Sequence, residues 1–162
     1  MSSNIKLLIV DDEVKFLASI AQRLQMRGFD VTTAPDGQEA IKISHSQKFD
    51  VALLDLKMPG LDGKQVLEIL KKEHKYLEVI ILTGHGSFES AAECTKLGAF
   101  GYLPKPYELE KLLEVLKSAY EARMKKKFES DINKMEKLMK IATGAGPLSI
   151  LQEMKKLDDD VK

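Results

Sequence analysis

Residues 5–13 read Ile-Lys-Leu-Leu-Ile-Val-Asp-Asp-Glu, an apolar run that stops abruptly at two carboxylates. Only one lysine interrupts the run, which suits a strand covered on both faces rather than one with a wet side. Four similar runs follow, Phe29–Thr33, Val51–Leu54, Val79–Leu82 and Phe100–Leu103. Between the first two, Phe16, Leu17, Ile20 and Leu24 recur at helical spacing, and Gly28 marks a stop. Asp36-Gly-Gln-Glu39 has the form of a capping box ahead of Ala40, Ile41 and Ile43. Asp62 and Gln65 stand in the same way ahead of Val66, Leu67, Ile69 and Leu70. Ser87 opens a fourth helix that ends at Gly98, and a fifth follows Pro106. This alternation predicts an α/β fold, (βα)5, in which a doubly wound parallel sheet carries helices on both faces.

Composition agrees with one soluble domain. The 162 residues are 44% hydrophobic and 31% charged, and no apolar run approaches the roughly 20 residues of a membrane span. The 25 basic and 25 acidic side chains cancel, which argues against whole-chain attraction to nucleic acid or anionic lipid. A single cysteine, Cys94, excludes an internal disulfide and a cysteine zinc site. The first residues lack the layout of a signal peptide, so a cytoplasmic location is expected. The cancelled charge is unevenly spread: residues 1–120 hold 15 basic and 17 acidic groups, and residues 121–162 hold 10 and 8.

In an open parallel sheet, ligands bind outside the carboxyl ends of the strands. Strand one ends in Asp11-Asp12, strand three in Asp55, strand four in Thr83-Gly84, and strand five leads to Lys105 between Pro104 and Pro106. Singly, each of these residues reads as a cap, a turn or a solvated loop side chain; their joint placement on one rim points to a site. Three crowded carboxylates repel unless a cation compensates, and both the Lys105 ammonium and a metal are expected. Oxygen-only donors suit Mg2+, which binds through one or two carboxylates together with phosphate oxygens. Asp55 is then the candidate phosphoryl acceptor, forming an acyl phosphate, and Thr83 a hydroxyl donor to it.

Leu8-Ile-Val-Asp-Asp-Glu13, Leu53-Leu-Asp-Leu-Lys-Met-Pro-Gly-Leu-Asp-Gly63, Ile80-Ile-Leu-Thr-Gly84 and Gly98-Ala-Phe-Gly-Tyr-Leu-Pro-Lys-Pro106 together resemble the receiver domain of bacterial two-component response regulators. The resemblance implies a flavodoxin-like sheet of order 2-1-3-4-5 and Mg2+-dependent transfer of phosphate from a sensor histidine kinase to Asp55. It implies metal binding by Asp11, Asp12, Asp55 and the Lys57 backbone carbonyl, phosphoryl contacts from Thr83 and Lys105, and an aromatic switch at Tyr102. It also makes Lys105–Pro106 the candidate cis peptide. Such a protein catalyses only its own gain and loss of phosphate. Lys57 and His85 are either shields of the phosphoryl group or solvated loop residues. His45 and His74 read as helix-face residues, and Cys94 as a buried filler. An alternative reading makes the chain an intermediate phosphorelay carrier serving a histidine phosphotransfer protein. A phosphohydrolase with an aspartate nucleophile would place a second acid two residues on, where Lys57 stands.

Residues 1–120 are read as the receiver and residues 121–162 as a helical extension with no recognisable output domain. From Leu109 to Ala142 the apolar spacing is helical throughout, and a helix of about 35 residues would run about 50 Å, so its second half must project or fold back. Gly144-Ala-Gly-Pro147 breaks the pattern ahead of Leu148, Leu151, Met154 and Leu157. Arg123-Met-Lys-Lys-Lys127 reads as a solvated basic face, and nucleic-acid binding is not expected. Met124, Phe128, Ile132, Met135, Met139 and Ala142 form a stripe close to coiled-coil spacing. Homodimerisation or docking on a downstream protein target is preferred for it over a hairpin within one chain.

Overall fold

The computed structural model describes residues 4–58, 60–84, 88–143 and 146–159. Its strands are β1 (Lys6–Val10), β2 (Asp30–Ala34), β3 (Val51–Asp55), β4 (Glu78–Thr83) and β5 (Gly101–Pro104), each within one residue of the expected run at either end. All pair in parallel in the order β2-β1-β3-β4-β5. The flavodoxin-like expectation therefore holds.

Strand alternation explains why the runs are apolar throughout. Leu7, Ile9, Val51, Leu53, Ile80 and Leu82 pack with α1 (Val14–Gln25) and α5 (Leu109–Lys127). Their neighbours Leu8, Val10, Ala52, Leu54, Val79 and Ile81 pack with α2 (Gly37–Ser46), α3 (Gly63–Glu73) and α4 (Phe88–Lys96). Asp36 caps α2 by accepting the Glu39 amide at 2.8 Å, and Asp62 caps α3 through the Lys64 amide at 3.1 Å. Gly28 and Gly98 end α1 and α4 with φ of 91° and 104°, a conformation that disfavours any Cβ. Ser87 lies outside the described residues. Cys94 is fully buried, as expected of a filler, and burial pushes its thiol above the ordinary value.

The first turn of α3 packs directly on the loop that follows Asp55. A Cβ on Gly63 would stand 2.8 Å from the Leu56 Cα, a backbone atom that cannot swing aside. Overpacking costs about 1–3 kcal/mol, so Gly63→Ala is expected to lower stability by about that much in denaturant unfolding. An unchanged midpoint would mean that the loop behind Asp55 yields freely.

Beyond the sheet, the helical pattern divides. α5 ends at Lys127 and α6 (Ile132–Ala142) begins after Asp131, whose side chain accepts the Lys134 amide at 3.1 Å. A capping aspartate makes this break without glycine or proline. α7 (Pro147–Asp159) then returns against α5 and α6. Ile150, Leu151, Met154 and Leu157 of α7 join Met124, Phe128 and Leu138 in the same core as β1 and α1. Burying a Leu or Met contributes about 1.5–3 kcal/mol, so this face, rather than helix propensity, seats α7. Met124, Phe128 and Met135 of the stripe are thus spent within the chain as a fold-back of helices, the arrangement not preferred from spacing. Ile132 and Met139 point outward, 75% and 63% exposed.

Charged groups complete the docking of the tail below the amino ends of the strands. Asp50, just ahead of β3, accepts from Lys155 at 3.1 Å and from the Lys6 amide at 3.0 Å, and pairs with Arg123 at 3.3 Å. Asp158 of α7 takes Tyr120 and Lys127 at 2.5 Å each and Arg123 at 3.3 Å. Arg123 also donates to the Tyr76 carbonyl at 3.0 Å. The basic cluster is therefore a solvated face only in part: Lys125 and Lys126 are exposed, whereas Arg123 reaches inward to two buried carboxylates. Lys126 meets buried Glu78 at 3.0 Å, and Lys125 remains exposed beside Glu121.

Candidate functional site

The carboxyl ends of β1 and β3 bring three acids together. Asp11 is fully buried directly after β1, and its Oδ1 accepts the Glu13 amide at 3.0 Å. Asp55 closes β3, 6% exposed, with Oδ1 accepting the Lys57 amide at 3.0 Å. Asp12 is exposed, and one oxygen from each of Asp11, Asp12 and Asp55 lies within 4.8 Å of the others. Unit charges at that separation repel by about 3–4 kcal/mol at an effective dielectric of about 20, so the cluster calls for a cation. Its donors are all oxygens, the set that fits Mg2+ rather than zinc.

Lys105, after β5, supplies one positive charge. Its Nζ lies 2.5 Å from Asp11 Oδ2, 3.1 Å from Glu13 Oε1 and 3.5 Å from Asp55 Oδ2. The Lys105–Pro106 peptide is cis, as the motif implied. Burial raises the Asp55 carboxyl above the ordinary value, opposed by the Lys57 amide and the Lys105 charge and reinforced by Asp11. Burial would lower Lys105, yet the hydrogen bond to Asp11 and the charges of Asp55 and Asp11 hold it above its usual value.

Thr83 ends β4 opposite Pro104, one position beyond Leu82, which faces Asp55 in register. The strand backbone thus sets Thr83 on the same rim. Tyr102 lies in β5 beside Ile81 and is 45% exposed. His85 lies outside the described residues. His45 pairs with Glu73 at 2.9 Å, and His74 caps the end of α3, both away from the rim.

Three residues beside Lys105 were not among the site residues expected from sequence. Glu13 accepts from the ammonium, and the Phe16 ring centroid lies 4.7 Å from Nζ. Tyr107 meets Phe16 edge to face at 5.8 Å, and burial with the Asp11 charge raises its hydroxyl. Glu13 stood visible in Asp-Asp-Glu, but Phe16 read as ordinary α1 core, because spacing does not show which apolar side chain lies at the rim.

The family described as response regulator receiver domain matches residues 7–117. An NtrX-like response regulator of Rickettsia felis is 36% identical over 132 residues, 80% of this chain and 28% of that protein. A response regulator receiver domain protein from Clostridium thermocellum superposes with a TM-score of 0.67 at 37% identity, covering 72% of this chain and 94% of its own. NtrX from Brucella abortus gives 0.75 at 30% identity, covering 85% of this chain and 33% of that chain. This chain thus spans a minor part of the two NtrX-type proteins. No described helix is long and apolar enough to cross a membrane.

Proposed function

Since the chain belongs to the response regulator receiver family, we propose that it is a phosphorylation-controlled switch of two-component signalling, with Asp55 as phosphoacceptor. The observation that carries this reading is a buried strand-end carboxylate, Asp55, flanked by oxygen donors from Asp11 and Asp12 and by the Lys105 ammonium. An Asp55 oxygen attacks the phosphorus of a phosphohistidine on a sensor histidine kinase. A P–O bond forms as the P–N bond breaks, and the electron pair returns to the imidazole of the donor. Asp11, Asp12, Asp55 and the Lys57 carbonyl would hold Mg2+, which supplies neutralisation of charge on the transferring group. Lys105 and Thr83 then hold the phosphoryl oxygens. The exposed Tyr102 ring turns inward as Thr83 is drawn to the phosphate, which alters the β5 surface offered to a downstream protein.

In this reading residues 1–120 are the phosphoacceptor unit, residues 121–162 its helical extension, and the protein acts in the cytoplasm. The test is incubation with acetyl phosphate, with Mg2+ and with chelator. The expected result is one phosphoryl group by intact mass, mapped to Asp55 and lost with chelator. Label on another residue, or label indifferent to chelation, would sink the assignment.

A further inference from the structure

Lys105 does not rest evenly among the acids. Its Nζ leans on Asp11 at 2.5 Å and stands off Asp55 at 3.5 Å. Two groups outside the acid triad hold it there: Glu13 Oε1 at 3.1 Å, and the face of Phe16 at 4.7 Å. Phe16 is itself fixed, since Tyr107 meets its ring edge to face with an interplanar angle of 87°. Tyr107 follows Lys105 by two residues, so the ring touches both the ammonium and the loop that carries it.

Resting on the phosphoryl reading above, we infer that Phe16 and Glu13 are positioning residues that form a resting seat for the Lys105 ammonium. In the seat, Lys105 holds Asp11 Oδ2, on one of the three carboxylates that would hold a divalent cation. Cation uptake therefore competes with the seat, and Phe16 sets cation affinity without touching the cation. An aromatic face attracts an ammonium through its quadrupole, most strongly where water is excluded, and the Lys105 side chain is only 16% exposed. Glu13 is the less clean probe, because removing it frees the lysine and also removes negative charge that a cation would feel.

The experiment is an Mg2+ titration of the full chain, followed through amide resonances of residues 11–13 and 55–57. Phe16→Leu, which deletes the ring face without changing charge, is expected to raise Mg2+ affinity about threefold to tenfold. Phe16→Met should do the same should the leucine variant fold poorly, and Phe16→Tyr should restore the original affinity. Lys105→Met should raise affinity at least as far, and adding Phe16→Leu to it should change nothing further. Unchanged affinity in Phe16→Leu and Phe16→Met, or an equal gain in the Lys105→Met background, would overturn the seat alone. Absence of Mg2+ binding by the unmodified protein would overturn the phosphoryl reading and the seat together.

Discussion

Asp55→Asn protein given acetyl phosphate and Mg2+ is expected to gain no phosphoryl group by intact mass, under conditions that label the unmodified protein fully. The amide cannot form the acyl phosphate, and Asp11, the other buried strand-end carboxylate in contact with Lys105, serves in this reading as a metal ligand. Lys105→Ala retains the acceptor but loses the ammonium that contacts it, so labelling should slow by about 100- to 1,000-fold. Asp55→Asn should also melt above the unmodified protein in chelator at neutral pH. A carboxyl whose folded pKa is raised costs stability above its unfolded value of about 3.9, and the amide removes that cost. The gap should close as pH falls below about 4, where the carboxyl is protonated in both states. Residual label on the Asn variant would place the acceptor elsewhere.

The second large effect lies at the other end of the sheet. Arg123→Ala leaves Asp50 and Asp158 buried with one partner fewer each and frees the Tyr76 carbonyl. Breaking a buried pair from one side costs about 3–5 kcal/mol. Lys155 remains on Asp50, and Lys127 and Tyr120 on Asp158, which sets the expected loss near the lower bound. Hydrogen exchange should show α7 opening first. Lys156→Ala is the control, since that side chain is 62% exposed and its pair with Glu153 contributes little. Acid should act in the same direction: burial favours the neutral Asp158 carboxyl, but Lys127, Tyr120 and Arg123 overcome it and lower its pKa. Stability so gained is present above about pH 4 and lost as pH falls through the folded value. Protection of α7 that is equal in Arg123→Ala and the unmodified protein would show that apolar packing alone seats the tail.

These two ends differ in how far the sequence reveals them. Asp11, Asp12, Asp55, Thr83 and Lys105 can be placed on one rim from the order of strands, because topology carries every strand terminus to the same edge. The lower network has no such rule. Asp50 and Asp158 are far apart in the chain, and nothing local distinguishes Arg123 from the exposed Lys125 two positions on. The hairpin was hidden for a related reason. Asp131 lies inside an unbroken apolar periodicity, and only its cap to Lys134 shows that the helix restarts there. The stripe likewise could not say whether its partner was another copy or α7. Phe16 marks the same limit at single-residue scale, since its period assigns it to the core while its neighbour is an ammonium.

Cys94 gives the molecule a reporter of its own. As the lone thiol, fully buried on the sheet-facing side of α4 and held in its unreactive protonated form by burial, it meets a thiol reagent only when that helix lifts. The rate of alkylation of the unlabelled, unmutated chain is therefore a clock for opening at α4, readable by mass with and without phosphodonor.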